Sequence, residues 1–189
     1  MSSAALRVVL LGAPGSGKGT QAEKLSVALA VPAISTGEML RRAVAQGTEL
    51  GRRVDGVMSS GRLVDDELMA EVVRERLAAP DAAAGFLLDG YPRTAAQAAT
   101  LDGLLAAQGS RLDAVVFLDV PEEVLVQRSL ARRRQDDREE VIRERQRVYR
   151  EQTEPLVELF EARGLLHRID GDRTMDEVTR AVLGRLGRG

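Results

Sequence analysis

Runs of apolar and β-branched residues alternate with stretches of helical spacing along the whole chain. Leu6–Leu11, Phe86–Leu88, Val115–Val120 and Leu165–Ile169 read as strands, and Val31–Ser35 as a shorter one. The first run is nearly continuous in apolar residues, as a strand covered on both faces requires. The helical stretches carry start signals. Thr94-Ala-Ala-Gln97 and Thr174-Met-Asp-Glu177 fit a capping box. Pro121 suits a first helical position, with Glu122 and Glu123 complementing the dipole. Asp65 and Asp137 suit N-caps. The alternation predicts an α/β domain with a parallel sheet flanked by helices, and ligands at the carboxyl ends of the strands.

One strand end stands out. After Leu11 the chain reads Gly-Ala-Pro-Gly-Ser-Gly-Lys-Gly-Thr, from Gly12 to Thr20, and then turns helical. Such a loop can wrap its N–H groups around a phosphate and aim the next helix's N-terminus at the charge. Lys18 is the point charge within reach of the outer phosphates. Lys18 and Lys24 are the only lysines among 27 basic residues. A compact ammonium fits a tight loop where a planar guanidinium does not. The motif departs from the strict pattern, because Gly19 stands where Ser or Thr is usual and Thr20 follows one place later.

The bulk properties narrow the choices. At 189 residues the chain has the length of a single domain. A net charge of −2 gives no basic bias toward nucleic acid, and 3% aromatic residues leave little to stack on bases. There is no cysteine, so disulfides and thiolate metal sites are excluded. No signal-length or membrane-length apolar run occurs, and a cytoplasmic location is the default expectation. His167, the only histidine, falls in a strand pattern and reads as structural.

Further segments sit at or after strand ends: Ile34-Ser-Thr-Gly-Glu-Met-Leu-Arg41, Gly61-Arg-Leu-Val64, Leu88-Asp-Gly-Tyr-Pro-Arg93 with Gln97, and an arginine-rich stretch containing Arg128, Arg132, Arg134 and Arg145. Taken with the glycine-rich loop, these make the chain resemble the adenylate kinases of the nucleoside monophosphate kinase family, in their short-lid form. The likeness covers nearly the whole chain, and the family itself has Gly at the position of Gly19. Gly also usually stands where this chain has Ala131, and Asp often where it has Glu38.

The resemblance implies the P-loop NTPase fold with a five-stranded parallel sheet. It implies a core of residues 1–34, 65–127 and 138–189, an AMP-binding arm at about 35–64 and a short lid at about 128–137. The implied reaction is reversible phosphoryl transfer from Mg·ATP to AMP, giving two ADP. Gly15, Ser16, Gly17, Lys18, Gly19, Thr20, Arg128, Arg132 and Arg173 would bind ATP. Thr36, Arg41, Arg62, Leu63, Val64, Gly90, Tyr91, Pro92, Arg93, Gln97, Arg134 and Arg145 would bind AMP. Lys18, Arg93, Arg132, Arg134 and Arg145 would carry the catalysis, and Asp89 would hold Mg²⁺ through water. The expected state is a monomer without structural zinc, with ATP, AMP and ADP as its ligands and neither nucleic acid nor membrane as partner. Thr36 with Gln97 favours AMP, since pyrimidine-specific relatives tend to have Ala at the Thr36 position. Two other readings stay open at this point: another nucleoside monophosphate kinase, and a nucleotide-binding switch.

Overall fold

A computed structural model of the chain describes residues 5–132 and 138–188. Five strands form one sheet: β1 (Leu6–Leu11), β2 (Ala33–Ser35), β3 (Gly85–Asp89), β4 (Ala114–Asp119) and β5 (Leu166–Asp170). Their order is β2-β3-β1-β4-β5 and every pairing is parallel. All five expected strands are present. β2 starts two residues later than its pattern suggests, because Pro32 has no N–H to offer a ladder. The Pro32 carbonyl still accepts from the Leu87 N–H at 2.9 Å.

The two-residue period of β1 divides its side chains between two cores. Val9 and Leu11 join Phe86, Leu88, Val115 and Phe117 on one face, while Val8 and Leu10 join Leu87, Val116, Leu118 and Ile169 on the other. The first face is covered by α4 (Asp66–Leu77), α5 (Ala95–Ala107) and α8 (Pro155–Ala162). The second is covered by α1 (Lys18–Leu29) and α9 (Met175–Arg185). Each fully buried Leu or Val contributes about 1.5–3 kcal/mol to this three-layer core. β5 is an edge strand and only partly covered; there Arg168 lies 5.4 Å over the Phe117 ring.

Asp65 caps α4, accepting from the Glu67 and Leu68 N–H groups, and Thr174 closes a full capping box with Glu177. Pro121 sits one place earlier than expected: α6 (Glu122–Arg132) starts after it, and the Pro121 carbonyl accepts from Val124 and Leu125. Asp137 lies outside the described residues.

α2 (Thr36–Ala45) and α3 (Glu49–Ser59) form a helical pair between β2 and α4. They pack so closely that a Cβ on Gly51 would run into the Ala43 carbonyl. α7 (Glu139–Val148) continues through a π-helical turn at Tyr149–Thr153 toward α8. Pro155 has no N–H for the usual i−4 bond and its ring crowds that carbonyl, so the wider turn accommodates it.

The topology fixes where a ligand can bind. α1 leads from β1 to the β2 edge on one face of the sheet, and α5 leads from β3 to β4 on the other. The chain direction switches between β1 and β3, where Leu10 is in register with Asp89. The glycine-rich loop and Asp89 therefore emerge side by side.

Candidate active site

The loop after β1 is built around its own carbonyls. Lys18 Nζ donates to the Gly12 carbonyl at 2.7 Å and to the Ala13 carbonyl at 3.1 Å. Gly17 is the N-cap of α1 with φ of 95°, and it offers no side-chain cap. The first turn of α1 carries no acidic residue either. A helix N-terminus with neither a side-chain cap nor an acidic first turn favours an anion. Gly15 has φ of 91°, and a Cβ there would come within 2.6 Å of the Leu125 carbonyl and 2.7 Å of Ser129 Oγ. Only glycine allows α6 to press this close. From the other side, Gln146 of α7 donates to the Pro14 carbonyl at 2.8 Å. The loop is held by two helices from far along the chain.

Asp89 ends β3, is 9% exposed and accepts from Ser35 Oγ at 3.3 Å. Thr36 is buried, and its hydroxyl donates to the Asp89 carbonyl at 3.4 Å. By itself Thr36 would read as the cap of α2, but that role falls to Ser35, which accepts from the Glu38 N–H. Thr36 is left free to tie the arm to the end of β3.

The turn after Asp89 carries Gly90, Tyr91, Pro92 and Arg93. The Arg93 side chain donates from Nε to the Gly90 carbonyl at 2.7 Å, and the Arg93 carbonyl accepts from Thr153 Oγ1 at 2.8 Å. Burial pushes the Arg93 guanidinium below its ordinary pKa; the Asp89 carboxylate raises it again, and the neighbouring Arg145 charge lowers it. Arginine stays charged regardless. Two guanidinium groups beside a single carboxylate leave an excess positive charge that suits phosphate oxygens. Pro92 lines the cavity, but Tyr91 does not: its side chain is 1% exposed and lies in the core. Burial and the Asp66 carboxylate push its phenol up to about 12.

Gln97 also departs from expectation. Thr94 caps α5 by accepting from the Gln97 N–H, but the reciprocal half of the box is missing. Instead Gln97 Oε1 accepts from the Arg93 N–H at 2.7 Å, and Nε2 donates to Asp66 Oδ1 at 2.7 Å.

One cavity of about 990 Å³ runs across these groups. It is lined by Gly15 to Thr20, Arg128 and Arg173, and also by Thr36, Arg41, Arg62, Leu63, Val64 and Gln97. Asp89, Gly90, Arg93 and Arg145 also line it. Arg128 is clipped to the loop after β5, donating to the Gly171 carbonyl at 3.0 Å and to Asp172 Oδ1 at 3.2 Å. Arg173 donates to Asp170 Oδ2 at 2.8 Å, which raises the arginine's pKa and lowers the carboxylate's. Arg41 lies 4.0 Å from Glu38 Oε2, and Arg62 donates to Ser60 Oγ at 3.1 Å. Gly61 packs against the Val141 carbonyl and the Arg145 side chain, so the arm's far end meets α7. The Arg132 side chain and Arg134 lie outside what the structure describes. His167 is in β5 and does not line the cavity.

The donor set fits magnesium. That ion keeps several waters and needs only one or two protein carboxylates beside substrate phosphates. Asp89 supplies one, next to the glycine-rich loop. Among the described residues no group of three or more His, Cys, Asp and Glu could hold a metal ion, and no helix is long and apolar enough to cross a membrane.

Sequence reading missed Asp66, Ser129, Gln146 and Thr153. The last three are buried polar residues on helical faces that are otherwise apolar. Gln146 and Thr153 continue the buried stripe of Ile142 and Tyr149, and that is the signal that would have found them.

Comparison with known proteins agrees with the geometry. A family model described as adenylate kinase matches residues 10–165. An adenylate kinase of Stenotrophomonas maltophilia (strain K279a) is 49% identical over 185 residues, covering 96% of this chain and 99% of that protein. One of Thermobifida fusca (strain YX) is 51% identical over 185 residues, covering 96% and 98%. One of Nocardia farcinica (strain IFM 10152) is 51% identical over 183 residues, covering 97% and 100%. A glycine-rich loop at a strand switch point, arginines lining the same cavity and half-identity over nearly the full length lead to one conclusion: the chain belongs to the adenylate kinase family.

Proposed function

We propose that Lys18, Arg93, Arg132, Arg134 and Arg145 carry the family's reaction, reversible phosphoryl transfer from Mg·ATP to AMP giving two ADP. The observation that carries this reading is one cavity lined by the glycine-rich loop, by Thr36 and Gln97, and by Asp89, Arg93 and Arg145.

ATP takes the loop end. Amides of Gly15 to Thr20 receive its phosphates, with Lys18 Nζ leaving the Gly12 and Ala13 carbonyls for the outer oxygens. Arg128 and Arg173 flank the donor, and Arg132 joins them from the lid. AMP takes the arm end. Arg41, Arg93 and Arg145 hold its phosphate, while Thr36, Gln97 and the backbone at Arg62, Leu63 and Val64 surround its base; Gly90 and Pro92 shape the wall. Arg134 bridges from the lid. Asp89 would hold Mg²⁺ through water, and the bound ion neutralises phosphate charge.

Such a transfer depends on positioning and charge neutralisation. The nucleophile is a phosphate oxygen of AMP, already anionic at neutral pH, so no side-chain base is required. Arg93 and Arg145 supply fixed positive charge where the equatorial oxygens pass. Water is excluded when the arm (about 35–64) and the lid (about 128–137) close on the core (1–34, 65–127 and 138–189). The proposal extends to a monomer in the cytoplasm.

A two-headed ligand, two adenosines joined by five phosphates, tests it. At about 1,000 times its Kd it stabilises the fold by about 4 kcal/mol, or on the order of 10 °C in Tm. Arg41→Ala cuts that shift. A shift no larger than that from ADP at matched concentration overturns the two-pocket reading.

A further inference from the structure

We infer that Asp66 is a positioning residue that fixes the orientation of the Gln97 amide and thereby sets the choice between 6-amino and 6-oxo purine acceptors. The inference rests on the reading that Gln97 faces the acceptor base.

A glutamine amide can usually turn over by half a rotation and exchange its oxygen and nitrogen. In this site both ends are committed. Gln97 Oε1 accepts from the Arg93 backbone N–H at 2.7 Å, and a backbone N–H can only donate. Gln97 Nε2 donates to Asp66 Oδ1 at 2.7 Å, and an ionised carboxylate can only accept. Turning the amide over would set donor against donor and acceptor against acceptor, in a side chain only 2% exposed. The carboxylate is itself held, because Thr94 Oγ1 donates to Asp66 Oδ2 at 3.2 Å. Asp66 opens α4 and Gln97 lies in the first turn of α5, so the pair is set by the packing of two helices.

One N–H and one oxygen lone pair of Gln97 remain, and the residue lines the cavity. The edge of adenine presents an acceptor at N1 and a donor at the 6-amino group, which this fixed donor and acceptor match. Hypoxanthine and guanine present the reverse, a donor at N1 and an acceptor at O6. A locked amide serves the first and refuses the second, whereas an amide free to turn serves both. Base discrimination by a bidentate amide amounts to about tenfold or more.

The test compares kcat/KM for AMP and inosine monophosphate, with Mg·ATP saturating, in the wild type, Asp66→Asn, Asp66→Glu and Gln97→Leu. Asn can present either a donor or an acceptor to Gln97, so Asp66→Asn narrows the AMP preference by about tenfold, raising the KM for AMP while improving turnover of inosine monophosphate. Asp66→Glu, which keeps an acceptor-only group, restores much of the preference. Asp66→Ser gives the same reading as Asn if the latter folds poorly. A ratio unchanged in Asp66→Asn, or a kcat/KM that falls equally for both acceptors, overturns the inference and leaves Asp66 a structural residue. If Gln97→Leu also leaves the ratio unchanged, the placement of Gln97 at the base is what has failed.

Discussion

Gln146 and Pro14 stand 132 residues apart in the chain and are joined by a single hydrogen bond of 2.8 Å from the Gln146 amide to the Pro14 carbonyl. Gln146 is 4% exposed, so water cannot replace that bond easily. The neighbouring residue is Arg145, whose charge bears on Arg93. The bond therefore ties the glycine-rich loop to the turn of α7 that carries Arg145.

Gln146→Leu, close in volume, leaves the Pro14 carbonyl unpaired and is expected to cost about 1–3 kcal/mol in denaturant unfolding. Because Arg145 loses its reference to the loop, kcat falls more than KM rises. Steady-state kinetics beside the unfolding curve check both; a stability loss with kcat unchanged would confine Gln146 to packing.

Lys18→Arg is expected to fold normally and to lose about 10²–10³ in kcat. The ammonium sits within reach of both Gly12 and Ala13 carbonyls, a space that a planar fork does not share. Circular dichroism with a coupled ADP assay measures this, and near wild-type turnover would remove Lys18 from the chemistry.

AMP is expected to exceed UMP and CMP as acceptor by at least about 10² in kcat/KM, because a site that hydrogen-bonds a base edge leaves its own buried groups unpaired against the wrong one. Thr36 and Gln97, 1% and 2% exposed, are those groups. Comparable rates with a pyrimidine nucleotide would move the chain to a different branch of monophosphate kinases.

Tyr91→Phe is expected to leave AMP kinetics within about twofold, since the ring belongs to the core. It also changes the alkaline limb of stability. The phenol is raised from its ordinary value of 10 to about 12 in the fold, so the folded state holds its proton more tightly than the unfolded state. Its contribution is complete below pH 10 and is lost as pH rises from there through 12. The variant should unfold less steeply over that window, with Tyr149, also raised by burial, accounting for what slope remains. A variant that loses AMP affinity instead would return Tyr91 to the acceptor site.

What was legible in the sequence was local. The glycine-rich loop follows a strand and precedes a helix within a dozen or so residues, and β1, β3 and β4 are largely apolar runs. Asp65 and Thr174 cap their helices through groups two or three residues away. The places where reading along the chain fell short are those that only packing decides. Whether Ser35 or Thr36 caps α2 depends on which hydroxyl the end of β3 takes up. Gln97 looked like the partner of Thr94, three residues back, but it met Asp66 across 31 residues once α4 and α5 packed together. Ser129 lies against Gly15 for the same reason, since only the folded sheet brings α6 to the loop.

The π-helical turn at Tyr149–Thr153 has a mechanical meaning. It joins α7 to α8 so that one continuous rod touches Pro14 through Gln146 and the Arg93 carbonyl through Thr153. The rod begins at Glu139. It works as a spar, bracing the turn after β1 and the turn after β3 with the same helical segment. Two turns that the sheet sets side by side are thereby also held from outside it, by one stretch of chain.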